Sequence, residues 1–356
     1  MADKLKIAIP MAGWGTRMRP HTWSKPKPLV SVAGKASLDH LMDMFKSLPD
    51  PSNAEYIFIV GPYLGEQQIP PYIEKNYPGL MAHFVLQTKM KGQSHALWLA
   101  RRHLRGPMLM VFSDTLIETD FSFLADEACD GVAWVKPVPD PRRFGAVEVD
   151  QEGWITRLVE KPQTMTNNLV AVGCYYFRSG EALVAAIEEQ MQRNIALKGE
   201  YFLADAVNIM LERGARFRIE KVDVWLDTGT VEATLETNRY LLERLQVGRL
   251  ESLPAGKLEP SNLSTFQSAN VEVVPPVFIH ETAIIENSVI GPYASIGAHC
   301  VITRSRIENS ILEEGVQVTD AALSGSIIGQ QAKVQGRGAD DQPMALNIGD
   351  NSSVVL

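Results

Sequence analysis

Between Ile9 and Pro28 the chain reads IPMAGWGTRMRPHTWSKPKP, which sets Gly13 and Gly15 directly behind an apolar run and follows them with Arg17, Arg19, Lys25 and Lys27. Glycines in such a loop let backbone N–H groups approach an anion, because no side chain intervenes and positive φ is permitted. Arginine presents a fork that matches phosphate oxygens in pairs, and lysine adds a mobile point charge. The chemistry this suits is the gripping of a triphosphate. No Gly-Lys-Ser/Thr follows, as a Walker loop requires, and Met18 stands where a dinucleotide fingerprint carries its third glycine. Taken alone, the stretch also reads as a structural turn whose charges are simply solvated.

The elements that must position this loop are legible around it. KIAIP, YIFIVG, HFVLQ, MLMVFS and VAWVK read as buried strands, and they alternate with helical patterns. Gln93 to Leu104 sets Ala96, Leu97, Ala100 and Leu104 on one face, and YFLADAVNIMLERG is a second amphipathic helix ended by Gly214. Such alternation predicts an α/β domain, a doubly wound, Rossmann-like mixed and mainly parallel sheet with ligands at the carboxyl ends of its strands. That domain is expected over 1–247. Residues 248–270, rich in Pro, Gly, Ser and Asn, read as a linker. Beyond it Phe278, Ile284, Ile290, Ile296 and Ile302 recur every six residues, with small Thr282, Ser288, Ala294 and Cys300 between them. Three six-residue sides make a triangular coil, so a short β-helix of hexapeptide repeats is expected over 271–336, each coil using roughly 18 residues. The polar, Gly-containing stretch 337–356 reads as a tail without a fixed fold.

Composition narrows the partners. With 45% hydrophobic and 21% charged residues in 356, the chain is globular and long enough for one large domain and a smaller one. A net charge of −8 argues against non-specific affinity for nucleic acid or an anionic membrane, which leaves a small molecule as the expected partner. Cys129, Cys174 and Cys300 show no C-x-x-C spacing, so neither a disulfide framework nor a zinc site is indicated, and a reducing cytoplasm fits. The run Leu5 to Ala12 is interrupted by Lys6 and Pro10, unlike a secretory signal, and no 18-residue apolar stretch occurs.

G-x-G-T-R-x-R-P followed by K-P-K-P-L closely resembles the signature of the sugar-phosphate nucleotidyltransferases. Further segments similar to that family follow in order: QTKMKGQSHAL, VFSDTL, RRFGAVEVD, VEKP, NNLVAVGCYYF, KGEYFLADAV and WLDTGT. The resemblance spans about residues 5 to 245, and an appended left-handed β-helix is familiar in the same family. It implies attack by a sugar 1-phosphate oxygen on the α-phosphorus of a nucleoside triphosphate, with release of pyrophosphate. Catalysis of that kind is positioning and charge neutralisation.

The roles that follow from the resemblance are these. Arg17 and Lys27 match the residues that hold and polarise the triphosphate, Gly13, Gly15 and Thr16 its backbone cradle, and Lys25 is a weaker match. Asp114 and Asp227, each behind an apolar run, match a pair that binds Mg²⁺, although either aspartate alone reads equally as a cap or turn residue. Ser113 stands where the family usually has glycine. Glu160 and Lys161, with Gly145, match the sugar site, and Asn168, Lys198 and Glu200 align more loosely with sugar and phosphate contacts. Gln87 with Gly92 matches a Q-x4-G pattern for a pyrimidine, which favours dTTP or UTP, with glucose 1-phosphate as the favoured sugar. A cytoplasmic homo-oligomer is expected. Two other readings are a bifunctional enzyme whose β-helix is an acetyl-CoA-dependent acyltransferase, with His280 or His299 as its base, and a catalytically silent regulatory subunit.

Overall fold

Ile7, Ala8 and Ile9 are fully buried because the strand that carries them, Lys6–Met11, lies inside a sheet with a parallel neighbour on each side. Those neighbours are Glu55–Val60 and Met108–Val111, and Met81–Leu86 continues the parallel array beyond the first of them. Strands covered on both faces read as unbroken apolar runs, and four of the five expected strands are buried in this way; Met81–Leu86 forms as a strand but is only half-buried, because it pairs on one side, at the end of the parallel array. The computed structural model describes residues 4–252, 267–338 and 342–356. Past Met108–Val111 the pairing turns antiparallel: Leu169–Phe177 lies against it and also against Gly131–Pro137 and Gly145–Val149. Ile155–Glu160 pairs antiparallel with Gly145–Val149, while Phe217–Lys221 runs parallel to Gly131–Pro137. The α/β domain with a mixed sheet is therefore as expected. Helices Gln93–Leu99, Gly180–Gln192 and Leu203–Glu212 close its core, where Leu97, Leu183, Ile187, Val207 and Phe177 meet. The first of these is shorter than its apolar spacing suggested, and Ala100 to Leu104 continue as turns that still bury Ala100 and Leu104.

The chain divides into two compact units. One comprises the stretch ending at Trp14 together with His40–Leu226; the other comprises Gly15–Asp39 and the described part of Asp227–Leu356. This departs from a simple division near residue 247, because most of the basic loop belongs with the C-terminal half. Helix Val231–Ser252 also runs past that expected boundary. Residues 253–266 of the expected linker lie outside the described residues.

In the second unit parallel strands stack into ladders. One runs from Gln267–Val273 through Ile284–Ile290, Val301–Thr303, Gln317–Thr319 and Lys333–Gln335 to Ser353–Val355. A second runs from Val277–Ile279 through Ala294–Ile296, Ile311–Leu312 and Ile327–Ile328 to Asn347–Ile348. The third joins the end of Ile284–Ile290 to Arg306–Glu308 and Ala322–Ser324. This is a parallel β-helix. Its core is Ile279, Ile285, Ile290, Ile296, Ile302, Ile307, Leu312, Val318, Leu323, Ile328 and Val334, all nearly or fully buried. The strict six-residue stride thus misses twice: Phe278 and Ile284 were expected inside, but Ile279 and Ile285 are the buried residues and Ile284 is exposed. Ladder partners up to Gln335 lie 17 or 16 residues apart, as in Ile284↔Val301 and Val301↔Gln317, so some corners lack a residue, whereas those joining the last coil, such as Ile327↔Asn347, lie 20 apart. Corner residues such as Asn287, His299, Asn309 and Asp320 take positive φ. The stretch expected as a tail is also corrected: 342–356 supplies two paired strands of a further coil. Among the described residues, no helix is long and apolar enough to cross a membrane.

Candidate active site

The basic loop is folded by its own side chains. Gly15 sits in the left-handed region at φ +59°, and a Cβ there would lie 2.9 Å from Thr22 Cγ2 and 3.2 Å from Lys27 Cβ. Thr22 Oγ1 and the Met18 N–H both donate to the Gly15 carbonyl at 2.8 Å. That carbonyl is therefore satisfied within the loop. Three single turns, Thr16–Met18, His21–Trp23 and Lys27–Leu29, follow, and they leave Thr16 and Arg17 exposed and Lys27 half-buried. Gly13, in the first unit, is exposed, is not in the left-handed region, and has nothing within 4 Å of where a Cβ would lie.

Within the second unit the structure brings Arg17 and Asp227 together over one glycine. A Cβ on Gly229 would lie 2.6 Å from Asp227 Oδ1 and 3.1 Å from Arg17 Nη2. The Gly229 N–H donates to Asp227 Oδ1 at 2.6 Å, and Thr237 Oγ1 donates to the Asp227 carbonyl at 2.9 Å. Aspartate oxygens held by backbone and facing a guanidinium form a site that is mixed in charge, suited to an anion and a hard cation arriving together. Among the described residues no cluster of three or more His, Cys, Asp or Glu could hold a metal ion. A magnesium site needs fewer, since Mg²⁺ keeps waters and takes phosphate oxygens beside one or two carboxylates. The carboxylate of Asp227 fits that donor set. Asp114 belongs to the first unit, immediately before the strand Thr115–Ile117.

Lys25 is corrected by the structure. Its ammonium is buried against Glu313 and lies 3.3 Å from Asp350 Oδ1. It is spent on those carboxylates.

In the first unit a second cluster forms around the end of the strand Ile155–Glu160. A Cβ on Gly145 would lie 3.3 Å from Glu160 Oε2, and Lys161 Nζ stands 3.9 Å from Glu160 Oε1. Lys161 takes φ +49°, donates its N–H to the Phe144 carbonyl at 2.9 Å and carries its ammonium 4.5 Å over the Phe202 ring. Burial pushes the Glu160 carboxyl above the usual carboxylate range; Lys161 opposes this, and Asp205 and Glu200 add to it. Burial also raises Asp205. Gly145, Glu160 and Lys161 thus meet as expected, with Glu200 near enough to be felt. Lys198, at φ +53°, and Glu200 are exposed on the loop before Tyr201. Asn168 is exposed and offers its backbone carbonyl to the Val138 N–H. Sequence reasoning missed Asp205 and Phe202. They sit at the start of an amphipathic helix, where an acidic residue reads as an ordinary first-turn charge.

Gln87 and Gly92 also come together. The Gln87 amide nitrogen donates to the Gly92 carbonyl at 3.2 Å and lies 3.2 Å from His95 Nδ1, while its backbone N–H donates to Val60. Gly92 takes φ +91°, and a Cβ there would lie 2.4 Å from the Tyr201 carbonyl oxygen. Burial lowers the pKa of His95, with Lys91 adding to the effect. On the β-helix, the ring of His280 bonds Thr282 Oγ1 at 2.9 Å.

The nucleotidyl transferase family model matches residues 8–244, and the GMPPB C-terminal domain model matches 273–339. The chain belongs to the nucleotidyl transferase family. As a nucleotidyltransferase it is similar along its length to a glucose-1-phosphate thymidylyltransferase of Streptomyces antibioticus, 28% identical over 99% of both chains. It is also 28% identical to a UTP–glucose-1-phosphate uridylyltransferase, AglF, of Haloferax volcanii, over 67% of this chain and 97% of that one. Its fold is shared by a crystal structure of UDP-glucose pyrophosphorylase complexed with UDP-glucose, at TM-score 0.57 and 19% identity, over 68% of this chain and all of that one.

Proposed function

We propose that this nucleotidyltransferase joins a nucleoside triphosphate, dTTP or UTP, to a sugar 1-phosphate, glucose 1-phosphate in the first instance, giving a nucleotide sugar and pyrophosphate. The sugar-phosphate class rests on the family match and its relatives; the base and sugar are our own reading. A phosphate oxygen of the sugar 1-phosphate bonds to the α-phosphorus, and the bond from that phosphorus to the bridging oxygen of the β-phosphate breaks. The electron pair leaves on pyrophosphate, and no covalent enzyme intermediate is needed. Arg17 and Lys27 bind the triphosphate, with Gly13, Gly15 and Thr16 presenting backbone to it. Glu160 accepts from sugar hydroxyls, Gly145 admits the ring, and Lys161 meets the sugar phosphate, with Lys198, Asn168 and Glu200 at the margin. Asp114 and Asp227 would hold Mg²⁺, which neutralises charge on the reacting phosphates when bound.

The observation that carries this reading is the approach of Arg17 to Asp227 over Gly229, since an anion-binding cation and a metal carboxylate must act on the same phosphates. The preference for a pyrimidine with a donor at N3 is supported by Gln87, whose amide nitrogen is engaged by Gly92 and His95 and whose carbonyl oxygen is an acceptor. Uracil and thymine donate from N3, whereas cytosine does not. A homo-oligomer and a cytoplasmic setting carry over as parts of the proposal. The test is pyrophosphate release from a panel of triphosphates and sugar 1-phosphates, with and without Mg²⁺; turnover with dTTP or UTP supports the reading, and silence across the panel overturns it.

A further inference from the structure

We propose that the β-helix positions the triphosphate loop, with Asn347 and Asp350 of its last coil and Glu313 two coil layers earlier acting as positioning residues for Arg17. The proposal rests on the assignment of that loop to the triphosphate. A single turn such as Thr16–Met18 cannot hold an arginine in one place by itself, since one turn fixes several dihedrals for a single hydrogen bond. Here Met18, Arg19, His21, Ser24, Lys25 and Ser31 are each tied to the coil. Met18 is fully buried in an apolar cluster with Val30, Leu235, Ile311 and Ile327. Asn347 donates from Nδ2 to the Arg19 carbonyl at 3.3 Å, and its Oδ1 accepts from His21 Nε2. Ser24 Oγ donates to Asp350 Oδ2 at 2.6 Å. Lys25 reaches both Glu313 and Asp350, and Glu313 Oε1 also accepts from the Ser31 N–H at 3.1 Å.

These partners are placed by the ladder. Leu312 pairs with Ile328, and Ile328 pairs with Ile348. Glu313 and Gly349–Asp350 therefore leave the same face at rungs two apart, and their carboxylates converge on Lys25. Asp350 is itself held by the Gln330 N–H at 2.8 Å, and a Cβ on Gly349 would lie 3.1 Å from Pro20 Cβ, so the backbone there is in direct contact with the loop. A coil of stacked strands is rigid, and a loop bolted to it at several points along its length inherits that rigidity. None of these coil residues needs to touch a reactant for the effect, because a misplacement of about 1 Å can cost about 100-fold in rate.

The experiment uses the full chain carrying Asn347→Ala or Asp350→Asn, with Asp320→Asn as a control. Asp320 pairs with Arg304 between two earlier coils of the same β-helix. KM for each substrate, kcat and the melting temperature are measured together, and Arg17→Ala is assayed in parallel. We expect either loop-facing variant to raise KM for the triphosphate, or to lower kcat, by about tenfold. KM for the sugar 1-phosphate should stay within about twofold while the melting curve is kept. Triphosphate kinetics unchanged in both variants would overturn the proposal, as would equal loss at both substrates or an equal effect of Asp320→Asn. If Arg17→Ala itself retains full turnover, the assignment of the loop is what fails.

Discussion

Replacing Gly229 by alanine probes the meeting of Arg17 and Asp227 with a single methyl group. The new Cβ would stand 2.6 Å from Asp227 Oδ1 and 3.1 Å from Arg17 Nη2, whereas ordinary contact begins near 3.4 Å. The carboxylate must therefore retreat by about 0.8 Å, or the turn must shift with it, at an overpacking cost of about 1–3 kcal/mol. Gly229 is not in the left-handed region, so alanine meets no backbone penalty and the protein should fold. A displacement of that size at the group we propose as a ligand of Mg²⁺ beside the phosphates should lower kcat by about 10- to 100-fold, or about 1.4–2.7 kcal/mol of transition-state stabilisation. The assay is steady-state pyrophosphate release at saturating sugar 1-phosphate over a Mg²⁺ titration, beside a thermal melt. The variant should need more Mg²⁺ for half-maximal rate. Wild-type turnover and wild-type Mg²⁺ dependence would refute the reasoning, since the carboxylate could then move freely without consequence.

Other outcomes follow from the same geometry. Gly13→Ala meets open space, so its melting temperature should match the wild type while KM for the triphosphate rises; Gly15→Ala, at φ +59° and against Thr22, should instead lose about 1–2 kcal/mol of stability. Lys25→Met leaves the buried carboxylates of Glu313 and Asp350 without their cation and should cost about 3–5 kcal/mol in denaturant melts, part of which returns in the Lys25→Met/Glu313→Leu double variant. His21 is buried, and desolvation holds its pKa below the usual 6.5, so the unfolded chain takes up its proton first as pH falls. Stability should therefore fall as pH drops below about 6.5, and His21→Gln should flatten that part of the profile. Burial raises the Glu160 carboxyl, so sugar 1-phosphate KM should rise on acidification before the triphosphate KM does, and Glu160→Gln should raise it at neutral pH with no loss of stability.

What the sequence revealed follows from the range of the interactions. The strands Lys6–Met11, Glu55–Val60 and Met108–Val111 were readable because burial on both faces writes itself as a continuous apolar run. The β-helix was readable from its period, and only the corners misled: a shortened turn moves the buried residue by one, as at Ile279 and Ile285. The coil formed by 342–356 was missed because its strands are short, two and three residues, and because Asn347–Ile348 is held by pairing with Ile327–Ile328 and not by any repeat of its own. Lys25 could not be told from Lys27 by type or spacing. Its partners Glu313 and Asp350 lie about three hundred residues away, and no local pattern records them. Gly145, Glu160 and Lys161 were found from motif resemblance, while Asp205 was hidden in the first turn of a helix.

The central claim is that Arg17 and Asp227 serve one phosphoryl-transfer reaction. It is tested most directly by measuring pyrophosphate release from dTTP or UTP with glucose 1-phosphate in Mg²⁺, in the wild type and in Arg17→Ala and Asp227→Asn. Sugar-phosphate-dependent release in the wild type, lost by orders of magnitude in both folded variants, is the result predicted. Release that persists in either variant, or that does not depend on the sugar phosphate, would contradict the account.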